Sequence, residues 1–173
     1  MTESGDEQLI RVPGSKSIAN RALICAVLAE GQSNISNCAP GDDTQAMLES
    51  LETLGVKTVQ DGTTVRINSQ ISFEATEPRQ LQTRLAGTTS RFLTALCSLR
   101  AGQTTIDGYE PLRNRPMNGL HDALLSLGAN VKSLNIPGHL PVVVQRGSSW
   151  QARIAIDSTT SSQFISALMM IAP

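Results

Sequence analysis

Two stretches of the chain, residues 22–29 and 92–99, are apolar nearly all round, as a helix must be when other elements enclose it. A different pattern follows each of them. Met47, Leu48, Leu51 and Leu54 recur at helical spacing, and Gly55 stands where a left-handed residue closes a helix. Residues 117–128 repeat that design and end on Gly128. After each of these glycines apolar and polar positions alternate, over 56–68 and 129–146, around the turn signals Asp61-Gly62 and Pro137-Gly138. The alternation predicts two hairpins. Short strands are expected at 33–37 and 104–107, directly after the two apolar helices.

These elements belong to an internal repeat. Ser17-Ile-Ala-Asn-Arg21-Ala-Leu-Ile-Cys-Ala matches Thr88-Thr-Ser-Arg91-Phe-Leu-Thr-Ala-Leu-Cys, and Ser161-Ser162-Gln163-Phe-Ile-Ser-Ala-Leu opens in the same way. Arg21, Arg91 and Gln163 therefore occupy one repeat position, 70 and 72 residues apart. One unit reads strand, helix, strand, helix, hairpin, so the class is α/β. The units run over about 13–80 and 81–150, with a truncated third over 151–173 that consists mainly of one apolar helix, 163–172. A period this long points to βαβαββ units packed around a shared axis with their first helices inside. Ending on an apolar helix rather than a polar cap, the repeat reads as incomplete: a fragment, or one half that docks with a partner.

Composition narrows the chemistry. Of 173 residues 40% are hydrophobic and 17% charged, and the formal net charge is −1, so no global field would draw the chain to nucleic acid or an anionic membrane. Any anion site must be local. Residues 1–8 are polar and acidic with no secretory signal, and no apolar run is long enough to span a bilayer. Cys25, Cys38 and Cys97 suit neither a disulfide framework nor a zinc pair and are expected to be buried thiols in a reducing cytoplasm. His121 and His139 lack a second ligand at metal-binding spacing, so no metal is expected.

The candidate chemistry lies at the starts of the three equivalent helices. Lys16 and Ser17, in Pro13-Gly-Ser-Lys16-Ser17, precede the first apolar helix, and Arg21 follows one turn later. A helix N-terminus with its free N–H groups, a Lys, a hydroxyl and an Arg makes an anion cradle. It is not a Walker A loop, since Ser15 rather than Gly precedes the lysine. The second unit offers Ala86-Gly87-Thr88-Thr89-Ser90-Arg91, where Gly87 would admit a ligand close to the backbone and Thr88 or Thr89 could cap the helix. The third offers Ser161, Ser162 and Gln163. Each alone reads equally as a capped helix or as a binding loop. Three such starts in pseudo-symmetric units should converge on one end of the domain, and bases at a helix start are not what a cap requires. Arg115, held extended by Pro116, adds a loop cation able to grip a carboxylate or phosphate with two parallel hydrogen bonds. Asp42, Asp43 and Asp157 suit helix dipoles better than acid–base chemistry, and no triad or catalytic carboxylate pair is visible.

Taken in order, Pro13-Gly-Ser-Lys16-Ser17, Asn20-Arg21-Ala-Leu, Ala86-Gly87-Thr88 with Arg91, Arg115-Pro116 and Ser161-Ser162-Gln163-Phe164 resemble the motifs of the 5-enolpyruvylshikimate-3-phosphate synthase family, over nearly all of the chain after residue 9. The resemblance implies a fold of two similar lobes, each an inside-out α/β barrel of three βαβαββ units. Residues 1–12 would then be a strand region of the other lobe, and 13–173 an incomplete N-terminal lobe. It implies transfer of the enolpyruvyl group of phosphoenolpyruvate to the 5-hydroxyl of shikimate 3-phosphate, in the shikimate pathway to chorismate and the aromatic amino acids, with no cofactor or metal. Carried over by residue, Lys16 would be catalytic and touch both substrates. Ser17, Arg21, Ser161, Ser162 and Gln163 would bind shikimate 3-phosphate. Gly87, Arg115 and Gln163 would bind phosphoenolpyruvate, with Thr88 and Arg91 supporting the loop. The family's acid–base residues would lie in a C-terminal lobe missing from this chain, so the chain alone should be nearly inactive. Leu85 and Phe92 stand where many members carry Asn and Pro, which leaves inhibitor sensitivity open. A UDP-N-acetylglucosamine enolpyruvyl transferase and a non-catalytic anion-binding half are the alternatives.

Overall fold

A computed structural model of the chain describes residues 12–156 and 161–172; residues 1–11 of the expected N-terminal strand region, and Asp157, lie outside the described residues. The first unit comprises α1 (Lys16–Leu28), β1 (Ser33–Ile35), α2 (Asp42–Thr53), β2 (Thr58–Asp61) and β3 (Thr64–Ile67). The second comprises β4 (Arg79–Gln82), α3 (Gly87–Cys97), β5 (Thr104–Asp107), a single turn α4 (Glu110–Arg113), α5 (Asn118–Leu127), β6 (Asn130–Ser133) and β7 (Val142–Gln145), and α6 (Ser162–Met170) follows. The fold is α/β, as the pattern predicts.

Two open sheets carry the repeat. One has the order β1-β3-β2 and the other β4-β5-β7-β6. In both, the strand after the first helix pairs antiparallel with the last strand of the hairpin: Ile35 faces Val65 in one, and Ile106 faces Val142 in the other. β4 runs parallel to β5 through α3, the crossover that a βαβ start demands. The buried side chains of each sheet, Val65 and Ile67 or Ile106, Val142 and Val144, alternate with exposed or half-buried ones, so each sheet turns one face to the core.

Helices α1, α3 and α6 pack against one another inside these sheets, through Leu23, Ile24 and Val27, then Phe92, Leu93 and Leu96, then Phe164, Ala167 and Leu168. Nine of the eleven residues of α3 are buried, and the two that keep some exposure are Thr88 and Arg91. Burial of its hydroxyls is tolerable because the helix satisfies them itself: Ser90 Oγ donates to Gly87 O at 3.0 Å and Thr94 Oγ1 to Ser90 O at 2.7 Å. Cys38 and Cys97 are buried as expected, and burial pushes the Cys97 thiol up to about 12. Cys25 corrects the expectation. It is exposed, since α1 has its apolar residues on more of its circumference than its neighbours cover.

The end of the second unit is tightly held. Gly128 closes α5 at φ 105°, as a left-handed terminator should, and Gly55 follows α2 at φ 90°. A Cβ on Gly147 would lie 1.7 Å from Gly128 O, and one on Gly128 would lie 2.0 Å from Ser149 O. Gln151 N then donates to Leu127 O at 2.8 Å. Among the described residues no helix is long and apolar enough to cross a membrane.

Candidate functional site

The starts of α1, α3 and α6 come together through two arginines. Arg21 Nη1 donates to Ser17 O at 2.9 Å, and its Nη2 donates to Ser166 Oγ at 3.0 Å across to α6. Its guanidinium carbon sits 5.1 Å from the centre of the Phe92 ring on α3. Arg91 makes the same construction one unit later: Nη1 donates to Gln163 Oε1 on α6, and the guanidinium carbon lies 5.2 Å from the centre of the Phe164 ring. Both contacts fall within the first two turns of the helices, so their N-terminal ends face one region.

Gly87 begins α3 and is buried, and a Cβ there would come within 3.0 Å of Arg115 Nη1 and 3.9 Å of Arg91 Nη1. Without a side chain, two guanidiniums approach one helix start. Arg115 is exposed and projects from the turn after α4, where its N–H bonds back to Leu112 O at 3.0 Å. The segment expected to be a plain loop is thus a short helical turn. Burial first, and the nearby Arg115 second, hold the Arg91 guanidinium below its ordinary value, which shows two like charges gathered at a partly desolvated point. Arg91 Nε is buried with no hydrogen-bond partner.

The remaining candidates line the same helix starts. Ser161 caps α6, its Oγ accepting from Gln163 N at 3.3 Å, while Ser162 is exposed and its carbonyl accepts from Ser166 Oγ at 2.9 Å. Ser17 is exposed in the first turn of α1. Lys16 is exposed at the start of α1, with Cε 3.3 Å from where a Gly41 Cβ would be, so its side chain extends toward the start of α2 rather than onto the arginines. Thr88 is half-buried. Neither it nor Thr89 caps α3, whose preceding residue Ala86 offers no side-chain bond. Thr89 Oγ1 instead accepts from Asn20 Nδ2 at 3.2 Å and donates to Asp43 O at 3.0 Å, tying α1 and α2 to α3. Asn20, Thr89, Phe92 and Phe164 stand in or beside the motifs without the supporting role that the structure gives them, and Ser166 is not singled out at all. A buried Asn on the apolar α1 was the available signal.

The site arginines differ from the paired ones. Among the described residues each ion pair belongs to Arg84, Arg113 or Arg146, whose partners are Asp42 with Glu49, Asp107, and Glu74. Arg21, Arg91 and Arg115 have none there. Asp42 is therefore committed to Arg84 as well as standing in the first turn of α2. Uncompensated guanidiniums beside open helix N-termini are complementary to phosphate or carboxylate. No group of three potential metal ligands forms among the described residues.

A family model described as EPSP synthase (3-phosphoshikimate 1-carboxyvinyltransferase) matches residues 6–173. The 3-phosphoshikimate 1-carboxyvinyltransferase of Opitutus terrae is 39% identical over 168 residues, covering 95% of this chain and 39% of that protein. The protein of the same name from Tolumonas auensis is 36% identical over 170 residues, covering 96% of this chain and 40% of its own. The solved structure of EPSP synthase from Acinetobacter baumannii superposes with a TM-score of 0.83 at 23% identity, over 94% of this chain and 37% of that one, and shares the fold. The chain thus spans about two fifths of the length of the curated relatives it matches. On the match of the family model and of these relatives, the chain belongs to the EPSP synthase family.

Proposed function

We propose that this chain supplies mainly the shikimate 3-phosphate half of the site of an enzyme that transfers the enolpyruvyl group from phosphoenolpyruvate to the 5-hydroxyl of that substrate. The observation that carries the reading is the set of three guanidiniums without carboxylate partners, gathered at the starts of α1, α3 and α6 with Gln163 bonded to one of them, Arg91. Arg21, Ser17, Ser161, Ser162 and Gln163 would hold shikimate 3-phosphate. Arg115, Gly87 and Gln163 would hold phosphoenolpyruvate, with Thr88 and Arg91 supporting the loop, and Lys16 would reach both substrates.

The chemistry asked of these groups is electrostatic. Two strongly anionic molecules must be brought within bonding distance, and fixed cations both offset that repulsion and stabilise charge as the tetrahedral intermediate forms. Proton transfer to and from the reacting carbon is assigned to groups of a C-terminal lobe, so the 173-residue chain by itself should turn over little or nothing. The reading carries with it a cytoplasmic location, in keeping with three free thiols.

Isothermal titration of the chain with shikimate 3-phosphate, alone and with a complementary C-terminal half, tests the proposal. Binding without turnover by the chain, and turnover once the second half is added, is the expected result. Normal turnover by the chain alone would overturn the division of labour, and no binding even after complementation would overturn the assignment. Competition by UDP-N-acetylglucosamine, rather than by shikimate 3-phosphate, would move the activity to the sister transferase.

A further inference from the structure

Arg21 and Arg91 occupy equivalent places in successive units, and each lies over an aromatic ring contributed by the unit after it. The rings, too, are equivalent, because Phe92 directly follows Arg91 and Phe164 directly follows Gln163. The rule is therefore one of register: the residue at the repeat's arginine position stacks on the residue one step beyond that position in the next unit. We propose that Phe92 and Phe164 are positioning residues that hold the Arg21 and Arg91 guanidiniums in place for an anion, a role that rests on the reading above.

A guanidinium near the core can be kept in place by a carboxylate or by a ring, and the two have opposite consequences. A carboxylate occupies the N–H donors and cancels the charge, as Asp107 does by taking Arg113 Nε at 2.8 Å and Nη2 at 2.5 Å. A ring face attracts the cation through its quadrupole and leaves the in-plane donors directed outward. Arg21 and Arg91 have the second arrangement and no ion pair among the described residues. The rings are themselves buried in the core: Phe92 is 0% and Phe164 5% exposed. Ser166 and Gln163 each take one remaining donor, which fixes rotation about the stack without neutralising the charge. Charge, orientation and partial desolvation are thus prepared before a ligand arrives, and preorganisation of that kind lowers the cost of binding.

The test uses the whole chain with Phe92→Leu, which keeps apolar volume and loses the ring, Phe92→Tyr, which restores a ring, and Phe164→Leu. The first readout is the Arg Nε–H resonance in 15N NMR spectra, assigned for Arg21 with Arg21→Gln. In the unsubstituted chain the Arg21 resonance should be shifted by the ring current, lose that shift in Phe92→Leu and keep it in Phe92→Tyr. The second readout is shikimate 3-phosphate affinity, expected to fall roughly 5-fold in Phe92→Leu and to recover in Phe92→Tyr. In an Arg21→Gln background Phe92→Leu should change affinity no further, because the ring acts through that arginine. Phe164→Leu should lower phosphoenolpyruvate affinity in the same way through Arg91. An unshifted Arg21 resonance overturns the proposal without reference to any ligand, as does an equal loss of affinity on Phe92→Leu with and without Arg21. A flat titration of the unsubstituted chain would count against the shikimate 3-phosphate reading instead, and the stack is then decided by the resonance.

Discussion

Two sets of arginines in this molecule solve the same problem in opposite ways. Arg84, Arg113 and Arg146 are each clamped by an acid: Arg84 by Asp42 and Glu49, Arg113 by Asp107, and Arg146 by Glu74 at 2.7 Å. Arg21, Arg91 and Arg115 lie where α1, α3 and α6 begin, and their neighbours are rings, an amide, a hydroxyl and one another. The first set joins elements of the fold. The second keeps its charge available although a partly buried unpaired cation costs stability, whereas Arg100, buried and equally without an ion pair among the described residues, gives its donors to Gly102 O, Thr104 Oγ1 and Glu77 O.

Exchanging the character of the second set should have the largest effect. Arg91→Met keeps much of the side-chain volume and removes the charge; phosphoenolpyruvate affinity should fall about 10- to 100-fold, the scale of a lost charge-assisted hydrogen bond. Its melting temperature should be no lower than that of the parent, because a like-charge contact with Arg115 and a burial penalty both disappear. Calorimetric titration beside a thermal melt reads both. A loss of stability together with unchanged affinity would place Arg91 in the structural set.

A buried base of another kind sharpens the contrast, because it can shed the proton that an arginine must keep. His121 is 4% exposed, and burial, opposed by Asp122 and helped by His139, pulls its value from 6.5 down to about 4. The unfolded chain therefore binds the extra proton first on acidification. Stability should be full above about pH 6.5 and decline as pH falls toward about 4, by on the order of 3 kcal/mol, levelling below that for this group. Denaturant melts across that range, compared with His121→Leu, measure it. An unchanged acid limb in the variant would show that the imidazole is not the group responsible.

The smallest effect belongs to the clamped set. Glu74→Gln removes the partner of Arg146 at a fully exposed site, and the melting temperature at neutral pH should not move measurably. Arg146 holds the Glu74 carboxyl below its ordinary value, so whatever the pair contributes is present above the unfolded carboxyl value and is lost as pH falls through the folded one. Substrate affinity should be unaffected. A change in affinity would blur the division between the two sets.

Much of the scaffold was legible in the sequence because its signals are local. Leu48, Leu51 and Gly55 announce α2 and its end, and Asp61-Gly62 announces the β2–β3 hairpin, through spacings of a few residues. The alignment of Arg21, Arg91 and Gln163 likewise followed from a repeat written in the chain. What escaped depends on how one helix is rotated against another. Nothing within α1 says that Arg21 will lie over a ring 71 residues away, or that Thr89 will hold Asn20 instead of capping its own helix. The exposure of Cys25 belongs to the same class, since an all-round apolar helix does not reveal which side its neighbours leave open. The turn at Glu110–Arg113 escaped for another reason: a proline in a polar stretch serves a loop and the first turn of a helix equally well.

The back-to-back approach of Gly128 and Gly147 reaches beyond the end of α5. Since neither position has room for even a methyl group, the strand leaving β7 is pinned to the foot of the helix that precedes the hairpin. A side chain at either position would thus be felt along the backbone, in how residues 147–151 sit against the end of α5, as well as at the glycines themselves.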